Sequence, residues 1–304
     1  MDQLPPHPAS RTLGASGISI SPLAWGMWRL ADGGADAAST ARLVHTALDA
    51  GITLFDTADI YGFDGSSGFG AAEILLGDVL ASEPGLRARM VLATKGGIRP
   101  PMPYDQSPAY LAQAIDASLK RLKTDRVELW QIHRPDILAH PQETARALEN
   151  AIEAGKIATL GVSNCTQPQI AALAHFLDQP LAATQPEISA LRIDAIENGE
   201  LDQAMALGLS VLAWSPLGGG RVANPQTARE HAVAAALDEI AGTQSVSRTA
   251  AAYSWLMAHP AGIIPIIGSQ QSDRIHEAMR ALKIRWTRAD WYAVLVAARG
   301  VPLP

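Results

Sequence analysis

Four ionisable side chains stand at or just beyond the ends of short apolar runs. Asp56 closes ITLFD (52–56), Lys95 closes MVLATK (90–95) and His133 closes VELWQIH (127–133), while Tyr61 follows Asp56 by five residues in DTADIYG. Hydride addition to a carbonyl would use such a set. Negative charge develops on the carbonyl oxygen, so a proton must be supplied there. A tyrosine can supply it, but its ordinary pKa is about 10. A nearby ammonium favours the phenolate and lowers that value. Tyr61 is therefore the candidate acid, and Lys95 the charge that tunes it. Asp56 would hold Lys95 charged and oriented, and His133 would hydrogen-bond the carbonyl oxygen and fix its angle. Each residue also has a plainer role. Asp56 can cap a turn, Lys95 can snorkel to a rim, His133 can be bonded in a core and Tyr61 can be a loop aromatic. A lysine ending a buried run is costly unless paired, and convergence on one mouth is what marks a site.

Gathering those groups takes a fold that collects strand ends. Eight short apolar runs recur: PLAWGM (22–27), ITLFD, MVLATK, VELWQIH, IATLGVS (157–163), LAATQPE (181–187), LSVLAWS (209–215) and GIIPIIG (262–268). Most are rich in Val, Ile, Leu and aromatics, as strands buried on both faces are. Helical spacing lies between them. Ser107 caps a pattern of Leu111, Ile115, Leu119 and Leu122. Pro141 opens one with Leu148 and Ile152 that stops at Gly155, and Ser272 precedes Ile275, Met279 and Leu282. Strand and helix in alternation imply parallel strands with right-handed crossovers. Eight such units in 304 residues favour a (β/α)8 TIM barrel over an open doubly wound sheet. An open dinucleotide-binding sheet would also carry G-x-G-x-x-G after its first strand, where this chain reads WRLADGGADA. RTLGASGISIS (11–21) reads as an N-terminal β-hairpin placed to plug the barrel floor. Trp291, Leu295 and Ala298 mark an extra C-terminal helix, and no break in composition divides residues 1–304. The C-terminal strand ends, where barrel sites lie, also offer Ser163 with Asn164, Gln185, and Trp214 with Ser215.

Composition narrows the classes. The net charge is −6 and the 24 basic residues are dispersed, so nucleic acid is not an expected partner. No run is long and apolar enough to predict a membrane span, and MDQLPPHPASR lacks the basic start of a signal peptide. The single cysteine, Cys165, permits no internal disulfide and suits a soluble, cytoplasmic protein. Cys165 itself reads as a small buried thiol. No His-x-His or Cys-x-x-Cys pair offers metal ligands. His45, His140, His175, His231, His259 and His276 read as surface or packing residues. The Gly-rich SSGFG (66–70) is either a mobile substrate loop or an ordinary connection. Trp28, Ile60, Phe63 and Trp214 suggest an apolar or aromatic pocket wall.

GITLFDTADIYG (51–62), ATKGG (93–97), QIHRPD (131–136) and GVSN (161–164) resemble the aldo-keto reductase superfamily, from about residue 11 to the end of the chain. WSPLGGGR (214–221), PIIGS (265–269) and WTRADWYAVLVAARG (286–300) resemble a bacterial oxidoreductase branch within it. The resemblance implies a catalytic tetrad at Asp56, Tyr61, Lys95 and His133, and NADPH extended across the barrel mouth. It implies that Ser163, Asn164 and Gln185 meet the nicotinamide carboxamide, that Trp214 stacks on the ring, and that Gly26 and Trp28 edge the nicotinamide and substrate pocket. Ser215, Leu217 and Gly218 would line the pyrophosphate, Ser269 and Arg274 the 2′-phosphate, and Glu277 the adenine. Many family members carry a Lys near that phosphate, where this chain reads GSQQSDR (268–274), and Ala278 replaces an Asn often found beside adenine. Arg274 is then the cation there; NADPH is expected and NADH stays open. The implied activity is reduction of an aldehyde or ketone to an alcohol, acting on a small carbonyl substrate without an obligate protein partner. Two other readings use the same barrel: a cofactor-sensing binding protein with vestigial chemistry, and a lyase or aldolase with Lys95 as a Schiff base.

Overall fold

In a computed structural model describing residues 3–304, the predicted alternation closes on itself. The chain opens with the expected hairpin, β1 (Arg11–Thr12) and β2 (Ser19–Ile20), paired antiparallel. Eight parallel strands follow: β3 (Ala24–Gly26), β4 (Leu54–Asp56), β5 (Val91–Gly96), β6 (Val127–Ile132), β7 (Ile157–Ser163), β8 (Ala183–Gln185), β9 (Ser210–Ala213) and β10 (Ile264–Ile267). Each pairs with the next, and β10 returns to β3 to close the barrel.

The two-residue period of a strand builds the site's platform. Ala24, Leu54, Ala93, Leu129, Ala183 and Leu212 pack together inside the barrel. Two residues further along the same strands, the sequence supplies Gly26, Asp56, Lys95, Gln131, Gln185 and Trp214. Register aligns them, with Gly26 opposite Asp56 and Lys95 opposite Gln131. One alternation therefore sets an apolar plug below and a polar layer above. The hairpin seals the bottom, where Leu13 and Ile20 join the interior cluster. Gly14 N donates to Ser210 Oγ (2.9 Å), which donates to Thr12 O (3.1 Å). A Cβ on Gly14 would stand 2.6 Å from Ala182 Cα, and its φ is 53°, so the hairpin tip needs glycine.

Helices α1 (Ala37–Asp49), α2 (Ala71–Ser82), α3 (Pro108–Leu122), α4 (Pro141–Glu153) and α5 (Gln167–Phe176) follow β3 to β7 in turn. α6 (Asp194–Glu197) and α7 (Glu200–Leu207) follow β8; α8 (Ala228–Gln244) and α9 (Arg248–Met257) follow β9; α10 (Ser272–Ala278) and α11 (Arg288–Arg299) end the chain. Ser107 Oγ accepts from Tyr110 N with Pro108 at the first helical position, and Gly155 takes φ 71° just beyond α4, as their types dictate. The spacing that predicted one helix through Leu282 resolves differently. α10 stops at Ala278 and the chain tightens into a 3-10 turn over Met279–Lys283. α8 is absent from the sequence reading, although its capping box, Thr227 with Glu230, was a usable signal. α11 buries Trp291, Val294, Leu295 and Ala298. It is fastened to α9 by stacked Trp255 and Trp291, each of whose indole N–H groups donates to the other's backbone carbonyl at 3.0 Å. Among the described residues, no helix is long and apolar enough to cross a membrane, and no group of three His, Cys, Asp or Glu is placed to hold a metal ion.

Candidate active site

Lys95 stands one residue before the end of β5, fully buried, and its environment explains how. Nζ donates to Asp56 Oδ2 (2.6 Å) and to Thr57 O (2.8 Å). Asp56 Oδ1 accepts from Gln185 Nε2 (2.9 Å) and Gln131 Nε2 (3.3 Å). A buried ion pair is tolerated when its remaining lone pairs are filled, as they are here. Lys95 Nζ lies 5.0 Å from the centre of the Tyr61 ring. That ring meets His133 edge-on at 5.8 Å and Trp28 at 5.4 Å. His133 N donates to Gly96 O (2.9 Å), tying the end of β6 to that of β5. The four predicted residues thus come together at one mouth. Gln131, which the sequence reading passed over, shares the inward face with His133 two residues later.

The electrostatics correct one expectation. Lys95 does pull the Tyr61 pKa down, but burial pushes it up by more, and Asp56 adds to the rise. The phenol therefore sits above its ordinary value and keeps its proton at neutral pH. The physical reason is that Asp56 cancels much of the lysine charge while the protein excludes the water that would solvate a phenolate. Burial likewise opposes charge on Lys95, but Asp56 and Tyr61 outweigh it and hold the ammonium above its usual range. A Schiff base needs the opposite, a neutral amine. Burial, then Lys95 and Arg134, push His133 well below the usual imidazole range, so it is neutral.

Beside the tetrad runs a hydrogen-bonded chain. Trp214 Nε1 donates to Asn164 Oδ1 (2.9 Å), Asn164 Nδ2 donates to Ser163 Oγ (2.8 Å), and Ser163 Oγ donates to Gln185 O (2.8 Å). Asn164 Nδ2 also donates to His133 O (3.2 Å). Asn164 and Ser215 take φ of 56° and 53°, strained for residues with a Cβ, and such positions cluster at functional sites. Arg134 lies 5.8 Å from the Trp214 ring. Ser215 gathers the glycine turn, its Oγ accepting from Gly219 N (3.0 Å) and its carbonyl from Gly218 N (2.8 Å), with Leu217 between them. On the other side of the mouth, Gly26 O accepts from Gln270 Nε2 (2.9 Å) and Trp25 Nε1 donates to Ser269 O (3.1 Å). Arg274 is exposed, and its guanidinium makes no hydrogen bond or ion pair among the described residues. Glu277 pairs with Arg280 (3.6 Å), while its Oε1 is buried without a partner. Trp28 stands 63% exposed at the rim. Phe63, expected in the same wall, packs instead on Phe69 in a separate cleft with Arg99 and Tyr110. Cys165 is partly buried, and burial pushes its thiol up to about 12, so it is inert.

Asp59, in the same DTADIYG loop, carries a different charge balance. It is buried, both carboxyl oxygens lack partners, and Gly96 must be glycine partly because a Cβ would stand 3.1 Å from Oδ2. Burial first, then the neighbouring Glu73, push its carboxyl well above the usual range. Glu73 already takes Arg121 (2.7 Å). A carboxyl whose folded pKa is raised opposes folding as pH rises above its unfolded value of about 3.9. Asp59→Asn should therefore raise Tm by at least about 2 °C at pH 8 and leave it unchanged near pH 4. Melting curves at both pH values check this, and an equal shift at both would refute it.

A proton held on a buried phenol beside a fixed ammonium, at the mouth of a parallel barrel, is a device for chemistry at an oxygen that gains charge, and it places the protein among the barrel oxidoreductases. The aldo/keto reductase family model matches residues 22–295, and the chain belongs to that family. Aldo-keto reductases use NAD(P)H and act on small carbonyl compounds. The chain is 70% identical to the 6-dehydroglucose reductase of Novosphingobium aromaticivorans over 304 residues, covering 100% of both chains. It is 35% identical to the 6-dehydroglucose reductase of Agrobacterium fabrum, covering 93% of this chain and 96% of that one. A crystal structure of a thermostable aldo-keto reductase in complex with the inhibitor epalrestat matches with a TM-score of 0.81 at 23% identity, covering 95% of this chain and 99% of that chain. That last likeness is one of fold.

Proposed function

We propose that the protein reduces an aldehyde to a primary alcohol with NADPH, Tyr61 acting as the general acid. The observation that carries this is the buried Asp56–Lys95 pair set against Tyr61. Bound NADPH supplies the hydride. Tyr61 donates the proton from its hydroxyl to the oxygen as charge builds there. Lys95 stabilises the phenolate this leaves, and Asp56 keeps Lys95 charged and still. His133 is neutral and its Nδ1 is buried without a partner, so Nε2 is the nitrogen left to hydrogen-bond the carbonyl oxygen.

The residues fit a dinucleotide. Gln185 Nε2 is committed to Asp56, which leaves its amide oxygen to accept from a carboxamide. Ser163 and Asn164 complete that edge, and Trp214, fixed by Asn164, offers a ring face to the nicotinamide. Gly26 and Trp28 border the ring and substrate, and the turn of Ser215, Leu217 and Gly218 suits the pyrophosphate. Glu277 has a buried, unpartnered oxygen for an adenine amine. Ser269 and the free guanidinium of Arg274 suit a 2′-phosphate. Arg274→Ala should raise KM for NADPH about tenfold, the worth of one charge-assisted contact, and leave KM for NADH unchanged. Equal effects on both cofactors would remove Arg274 from phosphate recognition.

The substrate class we propose is a hexose oxidised to the aldehyde at C6, the compound named in the two relatives above. Trp28 supports it, because an exposed indole face at the mouth suits the C–H face of a sugar ring. The test mixes the protein and NADPH with glucose 6-aldehyde in single turnover and compares glucose itself and a small apolar aldehyde. Fast NADPH loss with the first, and glucose as product, supports the reading. NADPH binding without oxidation by any aldehyde would instead support a cofactor-sensing protein.

A further inference from the structure

At the other end of the barrel from Tyr61, the hairpin and the chain entering β9 and β10 enclose a cleft of about 530 Å³. Arg11, Ser10, Ser19, Met205, Ser210 and Gly262 line it. Arg11 is half-buried, and its Nε is buried without a hydrogen-bond partner. Among the described residues its guanidinium has no ion pair or hydrogen bond. Its Nη1 lies so close to Gly262 that a Cβ there would stand 2.4 Å away. The chain therefore makes room for this guanidinium without neutralising it. A half-buried cation without a partner is unfavourable, because its lost hydration is not replaced. The nearby groups do not neutralise it. His7, hydrogen-bonded to Ser254 Oγ (2.7 Å), is pushed down to about 4 by burial, Arg11 and Arg285. The C-terminal end of α7 brings partial negative charge to the cleft, but no carbonyl there accepts from Arg11.

We propose that this floor cleft binds a small oxyanion, a carboxylate or a phosphate monoester, on the forked donors of Arg11 with the exposed hydroxyls of Ser10 and Ser19 beside it. The anion supplies the missing counter-charge. The cleft volume falls within the range of small-ligand sites. The site is separate from the reductase chemistry, so the proposal stands or falls without it.

The test titrates wild type, Arg11→Met and Arg274→Met calorimetrically with inorganic phosphate and with acetate, at ionic strength matched by chloride. The Arg274 variant removes a second place where phosphate could bind. Binding that persists in Arg274→Met and weakens about tenfold or more in Arg11→Met supports the site. Phosphate against acetate then identifies the anion. In chloride alone, Arg11→Met should melt no lower than wild type, because it removes an unpaired, half-buried charge; phosphate should raise Tm in wild type and in Arg274→Met, and by less in Arg11→Met. Binding as tight in Arg11→Met as in wild type overturns the proposal. So does an Arg11→Met variant that is destabilised equally in chloride and in phosphate, which would mean a purely structural arginine. An absence of binding by both probes in wild type overturns it as well. Carbonyl reduction should be unchanged in Arg11→Met.

Discussion

Tyr61→Phe should lower kcat by about 10²–10⁴-fold while NADPH binding stays intact. The substitution removes one oxygen and leaves the ring between Trp28 and His133. What is lost is the proton donor and the phenolate that Lys95 is placed to stabilise. His133 cannot take over, because its pKa is pushed well below the usual range and almost none of it is protonated at neutral pH. The pH dependence of the wild type follows from the same balance. Burial raises the Tyr61 pKa above 10.0, and the acid form is the active one in reduction. The rate of the chemical step should therefore be flat through neutral pH and fall only as pH passes above about 10. Single-turnover rates across that range, with fluorescence quenching for NADPH affinity, check both statements. Rapid turnover by Tyr61→Phe would place the acid elsewhere.

The contrast between the net Tyr61 shift and the expectation from its neighbours shows where sequence reasoning stops. Residue type and spacing were enough to place Asp56, Lys95 and His133, because a two-residue period and a strand end are both visible in one dimension. The same arithmetic could have found Gln131. The sign of a pKa shift was not visible, because it depends on how much water is excluded around the group. That exclusion depends on Trp28 and His133 packing on the phenol from distant loops. Phe63 shows the same limit, since its place in the chain suggested the mouth and its loop turned it into another cleft. Arg11 is the reverse case. An arginine in a short hairpin looks ordinary in sequence, and only the missing partner makes it informative.

Lys95→Met should cost about 3–5 kcal/mol of stability, because it leaves Asp56 buried with Gln131 and Gln185 but no counter-charge. Reduction should fall at least as far as in Tyr61→Phe. The informative variant is the double, Asp56→Asn with Lys95→Met. Replacing a whole buried pair by neutral groups of similar volume is often neutral or stabilising, so the double should melt at or above wild type. Its activity should stay as low as that of the single variant. A second difference separates the two proteins at high pH. The folded pKa of Lys95 is raised, since Asp56 and Tyr61 outweigh burial. Its contribution to stability is thus present below the unfolded value of about 10.4 and is lost as pH rises through the folded one. Wild type should lose stability in that alkaline window, and the double variant should lose less. Denaturant melts from neutral pH into that window, paired with single-turnover rates, test this. A double variant as unstable as Lys95→Met would mean that the pair holds the barrel together. Recovery of stability without activity would mean that the protein keeps a charged lysine in its core for the proton on Tyr61.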